Sequence, residues 1–346
     1  MSSEPLRLVD ADGNAVGDTD VGLDRADLRS LYRWMLFARH VDRECNSLQR
    51  DGELTVYPGF EGQEAAQVGS AFALGKDDFV FPTFRELAAA VVRGVDPVQY
   101  LWYHRGTWHG GAYDPRATRF GPICIPTATQ IPHAVGHALG QKLDGLQACT
   151  LVYFGDGSAS EGDFHEGANL AGVWRAPVIL FCQNNGWAIS VPTSEQTAGT
   201  IHERAPGYGI ASELVDGNDV LAVYAATNRA RERALAGDGA TLIEAMTYRI
   251  GAHTTADDAS RYRADAEVKA ARAADPIARY RKWLSAARAA DDEFFAGCDL
   301  DIARRVAEIR EAIIATPPPD PGWIFDWAYA DPPDHLLAQR TEAVGG

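Results

Sequence analysis

Residues 149–190 read CTLVYFGDGSASEGDFHEGANLAGVWRAPVILFCQNNGWAIS. The stretch opens with Thr150, Leu151, Val152, Tyr153 and Phe154, a short apolar run rich in aromatic and β-branched residues, and breaks at Gly155-Asp156-Gly157. Such a run bounded by turn residues predicts a buried strand. From Ser160 the pattern turns helical. Ser160 and Asp163 have capping-box spacing, Phe164, Ala168, Ala171 and Trp174 recur at helical intervals, and Arg175 and Pro177 close the element. The apolar run 178–182 predicts a second buried strand, ending in the polar residues Gln183, Asn184 and Asn185.

A strand, crossover helix and strand of this kind is right-handed, with its strands parallel, so both carboxyl ends emerge on one edge of the sheet. Asp156 and Asn185 thereby become neighbours. A carboxylate and an amide oxygen at that edge suit a hard divalent cation, and a helix start just after Gly157 offers backbone N–H groups to phosphate oxygens. The implied chemistry is a magnesium ion clamping a diphosphate, with Gly155 and Gly157 allowing close backbone approach. Asp156-x-Ser158-x-Ser160 has the start of a calcium loop, but the sixth position is Glu161 rather than glycine and the twelfth is Gly167 rather than glutamate, which excludes it.

The GDG, an interval of 26 residues (158 to 183) and the Asn-Asn pair together resemble the thiamine diphosphate signature. The surrounding segments SEGD, QNNGWAISVPTSEQTA, GYGI, VDGNDVLAVYAAT, TLIEAMTYRIGAHTTADDASRYR and DPIARY resemble the α subunit of the first component of 2-oxo acid dehydrogenases. The likeness is greatest to branched-chain enzymes, with pyruvate enzymes next, and spans residues 25–335. It implies decarboxylation of a 2-oxo acid and transfer of the acyl group to a lipoyl group on a transacylase. It also implies a β subunit, which must supply the module for the cofactor's ring, in a heterotetramer of two α and two β chains. The alternatives are a pyruvate dehydrogenase α subunit and a catalytically degenerate regulatory subunit.

The resemblance carries roles onto particular residues. Thr83, Phe84 and Arg85 stand at the diphosphate triplet, where Arg85 is suited to pair bidentately with phosphate while Phe84 lacks a tyrosine's hydroxyl. Ile125 and Thr127 occupy positions of cofactor contact where relatives often have serine and leucine. A potassium site maps to Cys124, Pro126, Thr129 and Gln130. Gly155, Asp156, Gly157, Ser158, Asn185 and Trp187 form the central cofactor segment, with Asp156, Asn185 and the Trp187 carbonyl as magnesium ligands. His253 matches the histidine that contacts diphosphate and the incoming lipoyl group, and His109 an active-site histidine. Glu161 is a candidate for work beside the substrate, and Thr254 matches a phosphorylated position of mitochondrial relatives.

The remaining sequence fits this frame. A formal charge of −16 argues against nucleic acid and anionic membrane as partners. Cys45, Cys124, Cys149, Cys182 and Cys298, without a CxxC, point to a reducing compartment, and the amino terminus lacks a basic start followed by an apolar core, so a soluble, cytoplasmic protein is expected. Residues 1–23 read as a flexible arm, 24–270 as the diphosphate-binding α/β domain, and 271–346 as a helical extension that packs on the partner subunit. Asp24 or Asp27 caps a long helix with Leu31, Met35, Val41 and Leu48 on its apolar stripe; 63–74 is a small-residue helix, and a helix begins at Pro132. His133 and His137 sit four apart on it, a spacing that fits zinc, but no HExxH glutamate or third ligand accompanies them. The run 211–215 is a strand, Asp219 caps a helix to about 236, and 241–247 is another buried strand. The expected architecture is α/β, a doubly wound parallel sheet with helical extensions.

Overall fold

The computed structural model describes residues 4–106, 111, 113–326 and 328–345. Its centre is a five-stranded parallel sheet of β1 (Phe79–Phe81), β2 (Thr150–Gly155), β3 (Val178–Asn184), β4 (Ala211–Asp216) and β5 (Thr241–Met246), in the spatial order β1-β2-β3-β5-β4. The doubly wound α/β reading of the sequence is therefore correct. Because side chains alternate across a strand, Leu151 and Tyr153 enter one core while Val152 and Phe154 enter the other; Ile179 and Phe181 part in the same way from Leu180 and Cys182. Burial on both faces explains the continuous apolar runs, each large side chain contributing about 1.5–3 kcal/mol.

One face is covered by α1 (Arg25–Arg50), α2 (Glu64–Phe72) and α5 (Val220–Leu235). The other is covered by α3 (Gln130–Leu143) and α4 (Gly162–Trp174). Asp24 caps α1 through a reciprocal capping box with Asp27, and Asp219 caps α5 by accepting from Leu221 and Ala222 N–H. The small residues of α2 have a packing reason. A Cβ on Gly69 would lie 2.8 Å from the Val220 carbonyl oxygen, so α2 and α5 approach too closely for a larger residue. Two further helices, α6 (Pro276–Ala286) and α7 (Asp292–Ala315), bury Tyr280, Leu284, Phe295, Ile302 and Ile313 in the same core as α1.

Several local expectations are corrected. In the segment read as a flexible arm, Leu6 forms a parallel bridge with Val215 on the outer edge of β4, and the Leu8 and Val9 N–H groups both donate to Asp219 Oδ2 at 2.7 Å. Ser160 is not the cap of α4. A 3-10 turn over Gly157–Ser160 comes first and moves the cap to Glu161, which makes no side-chain capping bond, while Asp163 accepts from Thr129 Oγ1. α3 begins at Gln130, two residues before Pro132, which occupies its first turn without cost. Much of the carboxyl-terminal extension packs on its own chain, since α7 lies along α1. Among the described residues no helix is long and apolar enough to cross a membrane.

Candidate active site

β2 and β3 are in register to their last residues, with Gly155 opposite Gln183, so the polar residues that follow both strands meet at one edge. The strand order reverses beside β3, where the chain skips a position to form β4 and returns as β5; such a switch point leaves a crevice beyond the carboxyl ends. A cavity of about 720 Å³ occupies it. Its walls bring together Thr83, Phe84, Arg85, Ile125, Thr127, Gly155, Asp156, Gly157, Ser158, Glu161, Asn185, Trp187 and His253. His109 lies outside the described residues.

The floor is polar and buried. Asp156 Oδ2 accepts from Thr193 Oγ1 at 2.7 Å and Gln196 Nε2 at 3.3 Å. No cationic side chain ion-pairs with it among the described residues, and burial raises its carboxyl above the usual range. Asn185 Nδ2 donates to Gln63 Oε1 at 2.9 Å, and its Oδ1 accepts from the Trp187 N–H at 3.2 Å. Trp187 begins a two-rung hairpin, Trp187–Ala188 against Val191–Pro192. The two glycines of GDG differ in purpose. A Cβ on Gly157 would come 2.8 Å from Ala188 Cβ, so Gly157 is required by the hairpin packed over it, whereas a Cβ on Gly155 would meet only open space.

The opposite wall carries positive charge. Arg85 Nη1 donates to Gly59 O at 2.5 Å, and Nη2 donates to His253 O at 3.0 Å and faces His253 Nδ1 at 3.2 Å. A guanidinium only donates, so His253 Nδ1 accepts and the ring proton of the neutral imidazole sits on Nε2. Burial, then the charges of Arg85 and Arg249, push His253 down to about 3. Burial and Arg249 likewise lower Arg85 to about 10. Arg249 is fully buried, and its Nε has no hydrogen-bond partner. Neither arginine ion-pairs with a carboxylate among the described residues. Glu86 instead accepts from Thr83 N–H at 2.5 Å, Thr83 Oγ1 at 2.6 Å and Gln183 Nε2 at 2.7 Å, so the Thr83 hydroxyl donates to Glu86. Phe84 stacks under Arg85, with 5.2 Å from guanidinium to ring, and edges His253 at 6.0 Å.

The chain matches the family described as dehydrogenase E1 component over residues 32–321. The chain belongs to the dehydrogenase E1 component family. Among its relatives, 3-methyl-2-oxobutanoate dehydrogenase subunit alpha of Mycobacterium tuberculosis (strain ATCC 25618 / H37Rv) is 44% identical over 345 residues, covering 98% of this chain and 93% of that protein. The mitochondrial 2-oxoisovalerate dehydrogenase subunit alpha of Homo sapiens is 39% identical over 353 residues, covering 98% and 79%. The 2-oxoisovalerate dehydrogenase subunit alpha of Bacillus subtilis (strain 168) is 37% identical over 321 residues, covering 90% and 97%.

In this E1 chain sequence reasoning missed three wall residues. Gln63 holds Asn185, while Glu86 and Gln183 join the two walls. Gln183 carried a signal as the first polar residue after the apolar run 178–182. Gln63 and Glu86 carried none, because the contacts that tie them into the walls, to Asn185 and Gln183, span 122 and 97 positions in sequence. The His133–His137 spacing is explained without metal: His133 Nδ1 lies 2.7 Å from Thr129 O, and His137 Nδ1 lies 2.9 Å from Thr150 Oγ1. Among the described residues no group of three or more His, Cys, Asp or Glu side chains is placed to hold a metal ion.

Proposed function

We propose that this chain is the α subunit of a thiamine diphosphate-dependent 3-methyl-2-oxobutanoate dehydrogenase. On this reading it acts with a β subunit, two copies of each, and passes the acyl group to a lipoyl-bearing transacylase. The observation that carries the reading is a pair of unmatched charges across the cavity. Among the described residues the buried Asp156 carboxylate on one wall makes no ion pair, and neither does the buried Arg85 guanidinium on the other. A magnesium diphosphate satisfies both at once, since the metal offsets the carboxylate and the diphosphate offsets Arg85. The names of the relatives above, each matched over nearly the whole chain, supply the branched-chain substrate class.

Asp156, the Asn185 side-chain oxygen and the Trp187 carbonyl would hold the magnesium ion, and Arg85 with the backbone at Gly155–Ser158 would hold the diphosphate. When bound, thiamine diphosphate supplies the nucleophilic carbon and the electron sink that let a 2-oxo acid lose carbon dioxide. The chain's own residues then act around it. Arg85 fixes the His253 tautomer, leaving its Nε2–H to donate to the substrate or to the acyl acceptor. Ile125 and Thr127 line the mouth of the cavity with Ile189, an apolar rim suited to a branched side chain. Glu161 stands at the same mouth, and His109 is assigned to the same work by its position in the sequence.

Potassium fits less well. Gln130 Oε1 is buried without a partner, but Thr129 Oγ1 is committed to Asp163 and Cys124 brings no hard side-chain oxygen. No step depends on it here. We assign the protein to the cytoplasm, where five free thiols are at home.

The test is calorimetric titration of thiamine diphosphate with magnesium into the chain purified with its β-like partner, followed by decarboxylation of 3-methyl-2-oxobutanoate and of pyruvate. Binding that Asp156→Ala abolishes, with faster turnover of the branched acid, is the expected result. A wild-type complex that binds no cofactor would overturn the proposal.

A further inference from the structure

We infer that Asp42, a residue of α1 outside the cavity, is a positioning residue of the active site, because it folds the 57–62 loop into the brace that holds Arg85 and the His253 segment. The inference rests on the function proposed above. Asp42 is 1% exposed, and its carboxylate is wrapped by one short loop. Oδ1 accepts from the Tyr57 hydroxyl and the Phe60 N–H, both at 2.9 Å, and Oδ2 from the Glu61 N–H at 3.2 Å. A Cβ on Gly59 would lie 3.4 Å from Oδ1, so the loop passes directly over the carboxylate.

The wrapped loop grips the site at several points. Gly59 O receives Arg85 Nη1 at 2.5 Å, and the same guanidinium holds His253. Tyr57 O receives the Thr255 N–H at 2.9 Å, Tyr57 N–H donates to Thr255 Oγ1 at 3.0 Å, and Glu61 O receives the Ile250 N–H at 2.8 Å. The segment bearing His253 is thus tied to the loop on both sides, at Ile250 and at Thr255. Asp42 does not line the cavity, so it reaches the chemistry only through this loop.

A carboxylate is a costly choice for stability alone. No cation ion-pairs with Asp42 among the described residues, and its burial raises the carboxyl to about 7. An apolar side chain of similar size would avoid that desolvation but would not accept three donors from one loop. What the carboxylate gains is a single loop conformation.

The test uses the complex with the β-like partner and three variants: Asp42→Ala, Asp42→Asn and Tyr57→Phe. Hydrogen exchange is read at the Ile250 and Thr255 amides, and steady-state turnover is measured on 3-methyl-2-oxobutanoate. In Asp42→Ala both amides exchange about tenfold faster than in wild type, and kcat falls about tenfold with KM within about twofold, the scale of losing buried hydrogen bonds to a charged group. Amides in α5 keep their wild-type exchange. Asp42→Asn recovers part of both effects, because it keeps an oxygen for Tyr57 and Phe60 but sets an amino group against the Glu61 N–H. Tyr57→Phe removes one donor and gives the same pattern in smaller degree, and it decides the matter if Asp42→Ala does not assemble. Wild-type exchange at Ile250 and Thr255, or unchanged kcat, in a folded variant would overturn the inference. Exchange needs no turnover, so variants that loosen the two amides in a complex inactive on 2-oxo acids would refute the proposed function and leave the brace standing.

Discussion

His253 shows how one side chain's neighbours set its chemistry. Pressed against Arg85 and half-buried, it is a neutral donor across the physiological range, and its folded value of about 3 lies below the ordinary histidine value of about 6.5. The sign follows directly. Between those values the unfolded chain binds a proton that the folded chain refuses, so this group's contribution is fully present above about 6.5 and is lost as pH falls toward 3. After discounting for partial exposure, the loss between pH 7 and pH 5 is on the order of 1 kcal/mol. The thermal midpoint of the wild-type complex should therefore fall more over that interval than that of His253→Gln, which cannot be protonated. Equal falls would mean that the histidine is charged in the folded protein.

The hairpin over Gly157 carries strain that no sequence pattern reveals. Ile189, in its turn, has φ of 57°, a left-handed conformation costly for a β-branched residue, and its side chain is exposed at the cavity mouth. Arg249 Nη2 reaches its carbonyl at 3.4 Å, and the Trp187 indole N–H is anchored to Glu267 at 2.7 Å. Ile189→Gly should raise chain stability by about 1 kcal/mol, read as a higher thermal midpoint, because glycine adopts this conformation freely. A lower midpoint would mean that the side chain packs on something the strain serves. The contrast with the sheet is instructive. β2 and β3 were legible because burial on both faces leaves unbroken apolar runs, and α1 and α5 because Asp24 and Asp219 announce their first turns. The 3-10 turn after Asp156 was not, since its hydrogen bonds fall within four ordinary residues; nor was the docking of Leu6 on β4, which depends on pairing across more than 200 positions. The same holds in the site. Asp156, Asn185 and Arg85 follow strands and could be placed from sequence, but Asp42, Gln63 and Glu86 act through contacts that only the folded chain makes.

At the scale of the whole molecule, the last thirty residues are the part least accounted for by the chain itself. The short helices Trp323–Asp326 and Asp334–Val344 contain no buried residue and meet each other through Arg340 and Asp326 at 2.9 Å. Trp323, Ile324 and Tyr329 keep 39%, 51% and 60% of their surface exposed within one short stretch, the kind of apolar grouping that marks an interaction surface. By contrast, the chain up to Thr316 is secured: Trp102 Nε1 donates to Thr316 Oγ1 at 3.1 Å, and Arg105 donates to the Ile313 and Thr316 carbonyls, each at 2.8 Å. A chain ending at Thr316 should therefore keep its α/β core and its far-ultraviolet circular dichroism per residue, while its affinity for the β-like partner drops at least about tenfold, as expected for loss of clustered aromatic anchors. Sedimentation of the truncated and full-length chains mixed with that partner reads the difference. If the truncated chain assembles as tightly as the full one, the aromatic segment serves something other than the subunit interface. The cavity mouth, rimmed by Ile125 and Ile189, then becomes the surface on which the second module closes.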